Sequence, residues 1–259
     1  MNRTKLFILP FLIFMSIMVI FPLSLLFWNA FTNDYGFTLS HLHIVLTDGF
    51  SMRVLSRSLW IALVAAIVCI LIAYPIAYGL TMAGFKRSTT ILLLFTLPLW
   101  TNLLLRSLAL RNLFHLFNFG MGFWAILISL VINFLPITIL PIYVVMGNIN
   151  KKHIEASYDL GANQLQTFRK TILPLSVPGI IASFVLVFTP IVSTYFLSHF
   201  FGGGGTDWRM FGELLNRMYG SRNFGTGSVL SIMLLLIMGF TVLILNRFSK
   251  VGNKRGGLW

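Results

Sequence analysis

Acidic residues are nearly missing from this chain: six Asp and Glu occur in 259 residues, against nineteen Lys and Arg. Charged residues of all kinds reach only 10%, where a soluble domain carries about 25%. So little charge cannot cover the surface of a protein folded in water. A single cysteine, Cys69, excludes a disulfide framework; it reads as a small apolar residue facing lipid or core. No G-x-x-x-x-G-K-[ST] run is present, so the chain has no phosphate loop of its own for ATP. The basic residues do not cluster with aromatics on a soluble face, which removes nucleic acid as the meaning of the +13 net charge. No repeat of 20–50 residues and no linker divides the chain, so it reads as one membrane domain over residues 1–259.

What is present is hydrocarbon. Apolar residues make up 57%, and mean hydropathy is +0.88. Six runs without charge cover residues 6–28, 58–85, 88–105, 116–150, 171–198 and 223–246. Each approaches or exceeds the roughly 18–20 residues a helix needs to cross a bilayer. Backbone groups in lipid must be paired within helices or a closed barrel, and runs this long and this uniformly apolar exclude barrel strands. The expected class is an all-α integral membrane protein with six transmembrane helices in the lipid bilayer. The first, residues 6–31, follows Arg3 and Lys5 as a signal peptide does. It is about twice the length of a typical signal core, contains Pro10 and Pro22 and ends in Phe27-Trp28, so it reads as a retained helix.

Twelve of the nineteen basic residues, including all seven lysines, fall on the side that holds both termini. The rule that cytoplasmic loops are Lys/Arg-rich puts both termini in the cytoplasm. It also makes 148–173 a cytoplasmic loop, 84–87 a tight cytoplasmic turn, and 29–57 and 200–224 external. The segment 106–121 reads as a short external connection, and "GGGG" at 202–205 as a flexible external hinge. Pro75, Pro98, Pro136, Pro141 and Pro190 sit inside the apolar runs, where each bends its helix.

The loop "HIEASYDLGANQLQTFRKTILPL" (153–175) is patterned as two short helices. Ile154 and Tyr158 stack on one face and Glu155 and Asp159 on the next. Gly161 ends the first helix, and Asn163 with Gln166 forms a capping box for the second. Leu165, Phe168 and Ile172 carry its apolar stripe, and Pro174 with Pro178 should close it. Such an element fits a docking device for a soluble partner, and it equally fits an amphipathic loop lying on lipid.

The spacing Glu155-Ala156-Ser157, Gly161, then Leu173-Pro174 resembles the EAA signature of binding-protein-dependent ABC importer permeases of the type I class. Ser157 stands where a second alanine is usual and Thr171 where a branched apolar residue is usual. The resemblance implies the type I importer permease fold, with a core over 54–248. It makes the loop a pair of coupling helices that grip an ATPase. Glu155, Ala156 and Gly161 are the motif positions; Tyr158, Asp159, Leu165, Phe168 and Pro174 complete the expected contact set. It also implies a dimer of ATPase subunits carrying ATP and Mg, with no cofactor in this chain. A second homologous permease, an extracytoplasmic solute-binding protein and the bacterial cytoplasmic (inner) membrane complete the expected setting.

Three stretches, 96–114, 159–183 and 195–203, further resemble the spermidine/putrescine permease branch. Polyamines are extended cations that seek carboxylates or aromatic faces, yet no Asp or Glu lies in any apolar run. Trp100, Tyr195 and Phe196 offer aromatic faces, and Asn102, Ser193 and Ser198 offer oxygens. His199 stands where this branch is expected to hold an acid, which leaves that acid to the second permease. Trp100 equally suits an interfacial aromatic belt. Another small solute, such as an amino acid derivative, phosphonate or iron chelate, is the alternative cargo. An intramembrane serine protease built on Ser228 and His199 is a remote alternative, since no acid is apparent to orient the base. A membrane scaffold without transport is a further one.

Overall fold

The computed structural model describes residues 3–33, 36–82, 87–204 and 207–255. Asp34, most of the expected turn at 84–87, and Gly205 lie outside them. Twelve α-helices are described: α1 (Arg3–Phe31), α2 (Ser40–Thr47), α3 (Gly49–Met82), α4 (Ser88–Thr96), α5 (Leu103–Leu116), α6 (Phe123–Gly147), α7 (Lys151–Asp159), α8 (Gln164–Thr167), α9 (Leu173–Ser193), α10 (Phe196–Phe201), α11 (Phe211–Gly220) and α12 (Phe224–Arg255). A two-residue hairpin, β1 (Thr32–Asn33) with β2 (Gly36–Phe37), follows α1.

Among the described residues five helical stretches are long and apolar enough to cross a membrane, or six when two pieces meeting at 92° are counted as one broken span. That span, Ser88–Trp100 with Leu103–Leu116, is the first departure from the sequence reading. The segment 106–121 is mostly helix rather than loop. The break has local causes. Pro98 tightens Leu97–Trp100 into a 3-10 turn. Asn102 then starts a fresh helix, its side chain accepting from the N–H groups of Leu104 and Leu105.

The described chain divides into two compact units, residues 1–54 with 214–237 and residues 55–213 with 238–259. In the first, none of the apolar window of α1 is buried, as suits a helix whose neighbour is lipid. Asp48 caps α3 by accepting from the N–H groups of Phe50 and Ser51 and from the Ser51 hydroxyl. The Ser51 hydroxyl is the main cause that holds its carboxyl below the usual range.

The second unit is built on small residues. Ala62, Ala66, Cys69, Ala73 and Ala77 recur every three or four positions along α3, all fully buried. Cys69 is therefore core-facing. Small side chains let membrane helices approach closely. Ala73 and Ala77 pack with Leu80, Leu92 of α4, and Ile139, Ile142 and Met146 of α6. The α6–α9 seam adds a buried bond from the Ser183 hydroxyl to the Thr138 carbonyl, 2.8 Å.

Candidate coupling elbow and rim

The elbow begins at Asn150, whose side chain accepts from the Lys152 N–H at 3.0 Å and starts α7. At its end Gly161 takes φ +79°. Its N–H bonds to the Tyr158 carbonyl and that of Ala162 to the Ser157 carbonyl, the paired pattern that closes a helix through a left-handed residue. Nothing lies within 4 Å of a Cβ added at Gly161, so backbone conformation alone calls for glycine. The capping box forms as read: Gln166 N–H to Asn163 Oδ1 at 2.9 Å, and Asn163 N–H to Gln166 Oε1 at 3.0 Å. Ser157 joins the two arms, its hydroxyl 2.9 Å from that of buried Thr167.

Two expectations for the elbow need correction. The second helix is not closed at Pro174. A π-helical turn, Phe168–Ile172, carries it into α9, giving one apolar stretch Gln164–Ser193. Pro174 falls in the first turn of α9, and the widened turn before it lets the chain run on where a missing N–H would otherwise break an α-helix. Phe168 is half-buried and turned toward α3 rather than outward with Leu165. Its ring packs edge-on against Tyr74 at 5.9 Å and Tyr78 at 5.4 Å, anchoring the elbow to α3. Glu155, Ala156, Tyr158 and Asp159 are exposed, as are Leu160 (89%) and Leu165 (65%). Inside the bend, a groove of about 800 Å³ runs past Ala156, Ser157, Gly161, Lys170 and Pro174.

At the other end of α9, roughly 30 Å away at 1.5 Å per residue, lies a rim made of α10 and the start of α11; the α4–α5 break is bonded instead, through Arg106, to Asn133, ten residues into α6. Trp100 is 81% exposed at that break. Tyr195 and Phe196 meet edge-on at 5.5 Å; neither forms a ring contact with Trp100 among the described residues. The three expected solute oxygens each make contacts within the chain. Asn102 caps α5, Ser193 bonds to the carbonyls of Thr189 and Pro190 on its own helix, and Ser198 donates to Glu213 Oε2 at 2.9 Å.

Glu213 is the residue the sequence reading missed. It is 6% exposed, and its Oε1 lies 3.3 Å from Arg209 Nε and 3.8 Å from His199 Nδ1. A carboxylate of this chain thus stands beside His199, brought back by α11. Only the i, i+4 spacing of Arg209 and Glu213 hinted at it. Part of the tetraglycine is likewise packed: a Cβ at Gly202 would sit 2.5 Å from the Ser198 carbonyl. Ser228 is buried in α12, and its hydroxyl has no hydrogen-bond partner among the described residues, so nothing there activates a nucleophile.

The family described as the binding-protein-dependent transport system inner membrane component matches residues 2–255. The chain belongs to this family. It is 32% identical over 228 residues to the spermidine/putrescine transport system permease protein PotB of Escherichia coli (strain K12), covering 81% of this chain and 82% of that one. It is also 27% identical over 188 residues to PotC of the same organism, covering 70% and 71%. In fold, this inner membrane component is similar to a bacterial ABC transporter that imports alginate, at TM-score 0.75 and 14% identity over 95% of this chain and 94% of that one. The MetNI methionine ABC transporter matches at TM-score 0.61 and 15% identity, over 78% and 95%. The family and the helical spans make this chain a permease subunit of an importer.

Proposed function

We propose that the chain is one of two permease subunits of an ATP-driven polyamine importer, with spermidine or putrescine as cargo. The likeness to PotB across four-fifths of both chains carries the choice of solute. Carboxylate ligation is not this chain's contribution, because Glu213 is held by Arg209 and Ser198. Its offer to a cation is aromatic: Trp100 at the α4–α5 break, and Tyr195 and Phe196 at the rim, each exposed or half-buried; a π face attracts an ammonium by about 0.5–2 kcal/mol. The PotC likeness makes a homologous second permease the natural source of further ligands.

The elbow is the power input. An ATPase dimer, which carries ATP and Mg, grips the exposed face of α7 and α8 through Glu155, Ala156, Tyr158, Asp159 and Leu165. Gly161 sets the angle between the arms, Pro174 lies at the groove's edge, and Phe168 transmits the push to α3. Because α8 continues into α9, movement at the elbow reaches the rim along one helical rod. The elbow and both termini face the cytoplasm, and a solute-binding protein delivers cargo to the rim.

The test is uptake of labelled spermidine in cells where this chain is the sole permease of its kind, expressed with its ATPase, second permease and binding protein. Gly161→Val imposes positive φ on a β-branched residue and is expected to lower uptake at least roughly tenfold, since it shifts the arms that must dock. Gly161→Asn, which tolerates that conformation, keeps most of the activity. Wild-type uptake by Gly161→Val would remove the elbow from the mechanism. Absence of spermidine uptake in the unmodified chain would remove the solute and leave the coupling reading standing.

A further inference from the structure

Arg106 presents a cation with no carboxylate partner among the described residues. Three neutral contacts hold it instead. Nη1 donates to the Pro98 carbonyl, Nε to Asn133 Oδ1 at 2.7 Å, and Nη2 to the Asn133 carbonyl at 3.4 Å. Asn133 is 2% exposed and is itself fixed by donating Nδ2 to the Ser129 carbonyl at 2.7 Å. In an unbroken helix the Pro98 carbonyl would accept the N–H of residue 102. The 92° break takes that donor away, and the carbonyl receives Thr101 and Arg106 in its place.

Proline, the 3-10 turn and the Asn102 cap already account for the bend. A charged residue among apolar helices is costly to keep, so its presence calls for something those features do not supply. What Arg106 adds is a link from the bend to α6. The planar fork of a guanidinium reaches two elements at once, which an ammonium does not. From α5 the setting passes on to α10, through Phe114 against Phe201 at 5.4 Å and Arg111 over the Phe200 ring.

We propose that Arg106 is a positioning residue of transport: a strut that locks the broken third span against Asn133 of α6 and so fixes the exposed indole of Trp100 and the α5 platform under α10. This depends neither on the polyamine reading nor on elbow docking. The experiment compares Arg106→Met, Arg106→Lys, Asn133→Leu, Asn133→Asp and the Arg106→Met/Asn133→Leu pair, each in a Thr101→Cys background. It reads inserted protein, spermidine uptake per inserted chain, and labelling of position 101 by a membrane-impermeant maleimide. Cys69 is fully buried and gives no background. The labelling readout does not depend on which solute is carried.

Arg106→Met and Asn133→Leu are each expected to lower uptake per inserted chain roughly tenfold and to change the labelling rate by a similar factor, as loss of hydrogen bonds to a charged group implies. The pair should be no worse than either single change, because both break one link. Asn133→Asp keeps an acceptor for Arg106 but loses the donor to the Ser129 carbonyl, so it should lose less uptake than Asn133→Leu, and Arg106→Lys should fall between wild type and Arg106→Met. Wild-type labelling in Arg106→Met, multiplying effects in the pair, or full uptake by Arg106→Lys would overturn the proposal. A loss of inserted protein with uptake per chain unchanged in Asn133→Leu and Arg106→Lys would also overturn it, reducing Arg106 to a folding role.

Discussion

The elbow and the rim sit at the two ends of one helix and handle their side chains in opposite ways. At the elbow, polar groups are spent on caps between near neighbours, and the large apolar side chains of Tyr158, Leu160 and Leu165 are left outside. At the rim, polar groups turn inward onto one another, with Ser198, Arg209 and Glu213 all at most 8% exposed. An uncovered apolar surface on well-capped helices suits contact with another protein or with a membrane. A buried, internally satisfied ionic cluster is a fastener. Under the proposed coupling, the difference lets one end receive force from outside the chain while the other holds its own shape.

The comparison breaks first at Glu213. If the rim cluster is a fastener, Glu213→Ala leaves a buried guanidinium without its carboxylate and should cost about 3–5 kcal/mol of stability. The loss would appear as a lowered unfolding temperature in detergent and less protein in the membrane, with uptake falling in proportion. Glu213→Gln keeps an acceptor for Ser198 and should lose less. If Glu213→Ala instead kept its unfolding temperature and lost spermidine uptake alone, the carboxylate would be a solute ligand, and the contrast between the two ends would fail.

A second contrast lies within the elbow. Phe168 and Leu165 belong to one expected apolar stripe, yet the first packs on Tyr74 and Tyr78 and the second faces out. Phe168→Ala should lower stability by about 3 kcal/mol, the lower end of the range for deleting a packed aromatic ring, since the ring is half-buried. Leu165→Ser should leave stability within about 0.5 kcal/mol while reducing the ATPase that co-purifies. Equal stability losses in both would mean that the two side chains share one role.

What separates the legible from the illegible in this chain is the sequence distance between partners. The elbow's devices span three to ten residues: Asn163 with Gln166, the carbonyls that receive Gly161 and Ala162, and Ser157 with Thr167. Cap chemistry and helical period therefore reveal its course, and the charge-free runs reveal the spans. Its two errors, at Phe168 and Pro174, concern which way a helix faces and where it continues, and both depend on α3 or on the π turn. The rim depends on Ser198 with Glu213, fifteen positions apart, and the α4–α5 break on Arg106 with Asn133, twenty-seven apart. No local pattern announces them. The scarcity of acids was read as an absence of acid at the rim, because a residue from a separate amphipathic helix has no reason, in sequence, to return there.

The mildest probe tests whether the departure from the family signature at position 157 is neutral. Ser157→Ala supplies the residue the signature expects but removes the hydroxyl that meets Thr167 across the bend at 2.9 Å. Thr167 is fully buried, so its own hydroxyl loses a partner, at a cost of about 1 kcal/mol. The bend keeps its glycine, its capping box and the Phe168 anchor, so uptake should fall only about two- to threefold, and Ser157→Ala/Thr167→Val should recover it by removing both ends of the bond. If the double variant transports no better than the single one, the bridging hydroxyl is tuning the angle of the arms rather than merely satisfying a buried group, and Ser157 joins Gly161 among the residues that set how the elbow meets its partner.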